Sequence, residues 1–243
     1  MNDPVHSLVK VLESYRGRDK VIRTLCYGSQ LVGGALSEKT AGSSQMGKSL
    51  LLFSAQLSHC RTVLRLFDDL SMFAYSRSYG LGGTEADRVL RWMSVLTNVA
   101  DQLYYPCEHV AWAADAQLIR VESDKWWTLS TLMWGLSLLF GILRSVRVLL
   151  LLKRRLRKPG HTRQIDISEA HVNRSSEVRL QLQAEVLNIL SSMADLSNAI
   201  HWMPPGFLWA GRFPDWLVGL LGTTSSLIGL YQMTSSSEGE TTN

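Results

Sequence analysis

The chain has 243 residues, 46% apolar and 19% charged, with eight tryptophans and a formal charge of +4. That length allows one or two domains, and so small a charge does not by itself imply a nucleic-acid partner. Three widely spaced cysteines, Cys26, Cys60 and Cys107, argue against a disulfide framework and for a reducing compartment.

At the N-terminus Val5, Leu8, Val9, Leu12 and Tyr15 recur at three- and four-residue spacing, followed by Val21, Ile22, Leu25 and Cys26, with Leu31 and Val32 beyond. This predicts an amphipathic helix with a bend near Gly17. Residues 1–30 lack the basic-then-apolar order of a secretory signal. Lys10, Arg16, Arg18, Lys20 and Arg23 populate the other face. Such a helix suits an anionic membrane surface, and it equally suits packing on a protein core.

Gly33, Gly34 and the polar residues after them read as a loop. Within it, residues 42–49 read GSSQMGKS and match the phosphate-cradling pattern GxxxxGK[ST], with Lys48 for phosphate and Ser49 for magnesium. That motif requires a buried strand immediately before it, and Ser37, Glu38, Lys39 and Thr40 are poor strand formers. The favoured reading is a glycine-rich loop capping the next helix. Residues 47–77 carry a broad apolar stripe from Leu50 to Phe73 and predict one long helix. A third helix follows over 85–105, N-capped by Thr84 and ended or kinked by Pro106. His59 with Cys60, and Cys107 with His109, lack the spacing of a familiar zinc site.

Residues 126–143 hold eighteen positions without a charge. At ~1.5 Å per residue this run spans about 27 Å, against about 30 Å for a bilayer's hydrocarbon core. Trp126 and Trp127 stand at one end and the cluster KRRLRK, residues 153–158, beyond the other, so residues 126–152 read as a membrane anchor with a basic collar. Arg144 and Arg147 lie in its extension, either snorkelling to the interface or facing a polar conduit. Residues 153–176 read as a polar loop, and a fourth amphipathic helix runs to Trp202. Residues 216–233 are again free of charge, although Thr223, Thr224, Ser225 and Ser226 lie inside. Gly219, Gly222 and Ser226 recur at spacings that let helices approach closely. The tail from 234 is expected to be disordered. Residues 95–101 (VLTNVAD) and 189–195 (ILSSMAD) echo one another, each ahead of a Trp-flanked apolar span.

Several stretches resemble one known family. Residues 14–20 (SYRGRDK) with Arg23 and Tyr27 resemble the N-terminal signature of the peroxin-11 family. Residues 56–61 (QLSHCR) with 64–69 (LRLFDD) resemble its next helix, and 98–106 (NVADQLYYP) its third. Trp209, Ala210, Gly211 and Arg212, with the glycine- and serine-bearing last helix, complete the likeness, and the C-terminal half is most similar to the family's gamma form.

The resemblance implies a non-enzymatic, multi-pass peroxisomal membrane protein, both termini cytosolic, that promotes membrane protrusion, elongation and fission. It implies membrane lipids, further copies of the chain, related peroxin-11 forms, and a Fis-one-type adaptor with dynamin-like fission machinery as partners, and no cofactor. The family topology sets the KRRLRK cluster on the matrix side, where positive-inside bias would set it in the cytosol. The expected fold is all-α: membrane-associated amphipathic helices plus two hydrophobic transmembrane helices. Its regions are an amphipathic N-terminal part (1–125), a first span (126–152), a connecting segment (153–212), a second span (213–233) and a tail (234–243). The expected membrane-inserting residues are Leu8, Leu12, Val21, Ile22 and Leu25. Arg16, Arg18, Lys20 and Arg23 are expected at lipid headgroups. Gly135, Gly141, Gly219, Gly222 and Ser226 are expected to pack the spans. The alternative function is a channel for small metabolites, lined by Arg144, Arg147 and residues 223–226.

Overall fold

A computed structural model describes residues 9, 12–39, 45–80, 82–83, 85–157 and 168–240. Every regular element among them is helical: α1 (Tyr15–Lys39), α2 (Gln45–Arg65), α3 (Asp69–Tyr79), α4 (Arg88–Asp115), α5 (Ser123–Arg157), α6 (Ser168–His201) and α7 (Asp215–Glu240). Helix α1 packs on α2 and α7, α7 on α6, α6 on α5, α5 on α4 and α4 on α3. A thin contact between α2 and α4 closes this order into a ring.

Helix α1 starts where Ser14 Oγ accepts the Gly17 N–H at 3.0 Å, a side-chain cap on an otherwise unpaired donor. It then runs through Gly33 and Gly34, where the sequence predicted a loop. The reason is packing: a Cβ at Gly33 would stand 3.0 Å from the Gly47 carbonyl oxygen, and one at Gly34 would collide with the backbone of Trp216. These glycines let α2 and α7 approach, and that contact outweighs their poor helix propensity. The helix expected over 47–77 breaks instead at 66–68. There the N–H groups of Leu66, Phe67 and Asp68 bond carbonyls three residues back, at 3.2, 3.4 and 3.0 Å, tightening the chain before α3.

Helix α4 is capped by Asp87, whose carboxylate accepts from the N–H groups of Val89 (2.8 Å) and Leu90 (3.2 Å). Thr84, the expected cap, lies outside the described residues. Pro106 sits inside α4 without ending it. Helix α5 extends beyond the expected span to Arg157, and α6 begins at Ser168, so helix replaces much of the expected loop. Helix α7 continues to Glu240, into the expected disordered tail, because each added residue gains a backbone bond once a helix is nucleated.

Among the described residues one helix is long and apolar enough to cross a membrane, over Ser123–Arg154, and most of that stretch is not buried within the protein. The stretch expected as a second span, 213–233, is not apolar enough to count as another. Its threonines and serines lower its hydropathy, and its small-residue face is covered by other helices.

Candidate functional site

The face of α1 expected to meet lipid headgroups divides. Arg18 is exposed, whereas Arg23 turns inward. Arg23 Nη2 donates to Asp195 Oδ1 at 2.6 Å and to Ser225 Oγ at 2.8 Å, with its guanidinium 5.5 Å from the Tyr27 ring centroid. Ser225 Oγ also donates to Asp195 at 2.5 Å, so α1, α6 and α7 meet at one buried polar node. That geometry commits Arg23 to the interior. Lys20 is half-buried with its Nζ near Gly229 on α7. Among the expected inserting residues, Leu12 and Leu25 are exposed and Val21 and Ile22 half-buried. Leu8 lies outside the described residues, as does the side chain of Arg16.

The expected packing residues also divide. A Cβ at Gly219 would meet the backbone of Leu31, and one at Gly222 the ring of Tyr27, so both seat α7 against α1. Ser226 is buried, donating to the Gly222 carbonyl at 2.6 Å. Gly135 faces α6 loosely, with Ala199 and Leu196 at 3.9 Å from its virtual Cβ, and Gly141 has nothing within 4 Å. The close-packed glycines therefore join the C-terminal helix to the N-terminal one, not to α5.

Arg144 and Arg147, at the far end of the apolar run, are both engaged by α4. Arg147 Nη2 donates to Asp87 at 2.8 Å; Arg144 Nε donates to Ser94 Oγ at 2.9 Å and its Nη2 lies 3.7 Å from Glu85. The start of α4 thus supplies acids to the end of α5. Its bond to Arg147, with the N–H groups of Leu90 and Val89, holds the Asp87 carboxyl below the usual carboxylate range.

Inside the ring lies a cavity of about 950 Å³. From α1 and α2 it receives Arg23, Arg61 and Arg65; from α4 and α5 it receives Asp101, Glu108 and Asp124 with Tyr104, Tyr105, Trp127 and Trp134. Arg65 closes the α2–α4 side through two bonds to the buried Glu108, at 2.9 and 2.5 Å, and Tyr104 Oη donates to the same carboxylate at 2.6 Å. Arg61 bonds Asp19 at 2.8 Å. Burial raises the Asp19 carboxyl, but the Arg61 hydrogen bond and charge outweigh it and hold the group below its ordinary value. Burial lifts the Asp101 carboxyl above the usual range.

The phosphate-loop pattern does not form such a loop in the fold. Gly47, Lys48 and Ser49 lie within α2, and the element before them is α1, not a strand. Gly47 is buried because its virtual Cβ would stand 2.6 Å from Ser37 Oγ, a packing contact. His109 Nδ1 lies 2.9 Å from Asp69, and Cys107 is buried, which pushes its thiol up. No group of three His, Cys, Asp or Glu that could hold a metal occurs among the described residues. The sequence reading did not single out Asp101, Glu108 and Asp195. Two of them were signalled, as the acidic ends of the echoing segments 95–101 and 189–195.

The segment between α6 and α7 folds back on α6. Trp209 Nε1 donates to the Ser197 carbonyl at 3.0 Å, the Phe213 N–H to His201 Nδ1 at 3.2 Å, and the His201 and Phe213 rings stack at 5.4 Å. The Trp209–Arg212 signature is therefore a structural corner.

Outside the ring the surface is unusually apolar. On α5, Leu129, Leu132, Leu139, Leu143, Val146 and Leu150 are exposed along one face. On α4, Val89, Trp92, Leu96, Val99 and Leu103 form a second exposed stripe at three- and four-residue spacing. At the α2–α3 break, Phe67 and Leu70 are 78% and 80% exposed, beside Phe73 at 59%. A water-soluble monomer rarely leaves so much contiguous apolar surface open.

Among the described residues the helical bundle, with one helix apolar enough to cross a membrane and apolar outer faces, has the character of a membrane-associated protein. Residues 5–234 match the family described as Peroxisomal biogenesis factor 11 (PEX11), and the chain belongs to that family of peroxisomal membrane proteins. It is 56% identical over 225 residues to human peroxisomal membrane protein 11C, covering 93% of this chain and 92% of that one, and 54% identical to the mouse protein over 228 residues, with 94% and 93% covered. Bovine peroxisomal membrane protein 11B is 28% identical over 132 residues, 54% of this chain and 49% of that one. No solved structure matches.

Proposed function

We propose that this protein shapes the peroxisomal membrane, promoting protrusion, elongation and fission by inserting amphipathic surfaces into one leaflet while α5 anchors it and copies associate. The reading rests on the outward apolar stripes of α4 and of the α2–α3 break, which belong to helices that do not themselves qualify as spans. Inserting side chains to partial depth expands one leaflet, and each buried large apolar side chain contributes ~1.5–3 kcal/mol. In this reading α7, uncharged over 216–233, is the second membrane segment, both termini lie in the cytosol, and a Fis-one-type adaptor, dynamin-like machinery and related forms are the partners. Reconstituted full-length protein should tubulate vesicles. Trp92→Glu with Val99→Glu on α4 should reduce tubulation several-fold without loss of helicity, and so should Leu12→Glu with Leu25→Glu at the N-terminal helix; undiminished tubulation by the α4 variant would sink the wedge reading.

A metabolite conduit is the second reading, favoured only by the central cavity. Its expected lining is engaged elsewhere: Arg144 and Arg147 pair with Glu85 and Asp87, and Ser225 and Ser226 are buried at helix contacts. Absence of conductance from the purified protein in planar bilayers would remove it.

A further inference from the structure

The two echoing segments each end in an aspartate turned into the protein. On α6, Asp195 accepts from Ser225 of the following helix, and on α4, Asp101 is half-buried and faces the central cavity. Asp195 also holds a cation, the Arg23 guanidinium. Among the described residues no arginine or lysine pairs with Asp101, and Asp101 lines the central cavity. The chain therefore supplies a counter-charge from within to one of these two aspartates and not to the other.

The cavity around Asp101 is polarised. The charged side chains contributed by α1 and α2 are arginines, and those contributed by α4 and α5 are acids. The acidic wall carries Tyr105, Trp127 and Trp134, ring faces of the kind that attract quaternary ammonium groups. Arg23 and Arg61 keep guanidinium N–H groups beyond those spent on Asp195, Ser225 and Asp19, because each guanidinium has five. Such donors suit a phosphate. Trp127 also belongs to the tryptophan pair at the start of the apolar span, the level at which headgroups lie when α5 crosses a bilayer.

We propose that this cavity binds a zwitterionic phosphocholine group, its trimethylammonium end on Asp101 between Tyr105 and Trp127 and its phosphate toward Arg23 and Arg61. Two sources share that chemistry, a phosphatidylcholine headgroup entering from the leaflet and free phosphocholine. The inference goes beyond the membrane-shaping reading and stands without it.

The test uses the full-length protein, stripped of lipid in a maltoside detergent, with binding followed by native mass spectrometry and calorimetry. The probes are short-chain phosphatidylcholine, short-chain phosphatidylglycerol and free phosphocholine. Saturable binding of one choline ligand, with phosphatidylglycerol at least tenfold weaker, is expected. Tighter binding of the lipid than of free phosphocholine assigns the leaflet source, and equal binding assigns the soluble one. Asp101→Asn preserves size, removes the charge and should weaken choline binding at least tenfold. Trp127→Leu, in the cavity lining, should weaken it several-fold if Asp101→Asn proves unstable. No saturable choline binding, equal binding of phosphatidylglycerol, or binding unchanged in a folded variant would each overturn the proposal.

Discussion

Arg23 shows how one side chain can carry opposite meanings in sequence and in structure. By position it belongs to the basic face of an amphipathic helix, with Arg18 and Lys20. In the fold it is the only one of these whose charge is matched by a buried aspartate from another part of the chain, Asp195, whose side chain is 9% exposed. Removing one member of such a pair leaves the other charged and desolvated, a loss of ~3–5 kcal/mol. Arg23→Ala should therefore lower thermal stability in detergent markedly, and Arg23→Met with Asp195→Leu should restore most of it. If Arg23→Ala is as stable as the parent but binds anionic vesicles less well, the residue acts at the membrane surface instead. The basic character of the helix was legible in the sequence. The partner was not, because it lies 172 positions away.

At the scale of elements, periodicity located the helices and glycine misplaced their ends. Gly33 and Gly34 looked like a break because isolated glycine weakens a helix. They persist inside α1 because two other helices need their missing side chains, and no local pattern reports a neighbour from the far end of the chain. The same holds in α7, where Gly219 and Gly222 meet α1. Replacing Gly219 by Val should destabilise the protein by at least ~1–3 kcal/mol, since the clash is with backbone that cannot rotate away. Gly141 has open space around it, and Gly141→Ala should be neutral or stabilising by up to ~1 kcal/mol. Denaturant titration of both variants in one detergent checks the pair, and equal effects would contradict the assigned helix contacts. The break at 66–68 was invisible for the opposite reason: apolar spacing continues through Phe67 and Leu70 although those side chains face outward.

Over the whole molecule, the ring of helices decides which groups face water, lipid or one another. Cys26 and Cys107 are buried between helices and Cys60 is exposed. In intact protein a maleimide should modify Cys60 quickly, and Cys26 and Cys107 at least tenfold more slowly until the bundle is unfolded. Equal rates for all three would mean that α1, α2 and α4 do not pack as described. The sequence by itself determined that the chain is helical, that 126–143 can cross a bilayer, and that its motifs resemble one peroxisomal family, because composition, spacing and short signatures are local properties. Tertiary structure alone decided that the N- and C-terminal helices pair through glycines, that Arg144 and Arg147 meet acids of α4, and that an arginine wall faces an acidic aromatic one. Those outcomes depend on which distant segments share a face, and charge or hydropathy along the chain carries no record of that.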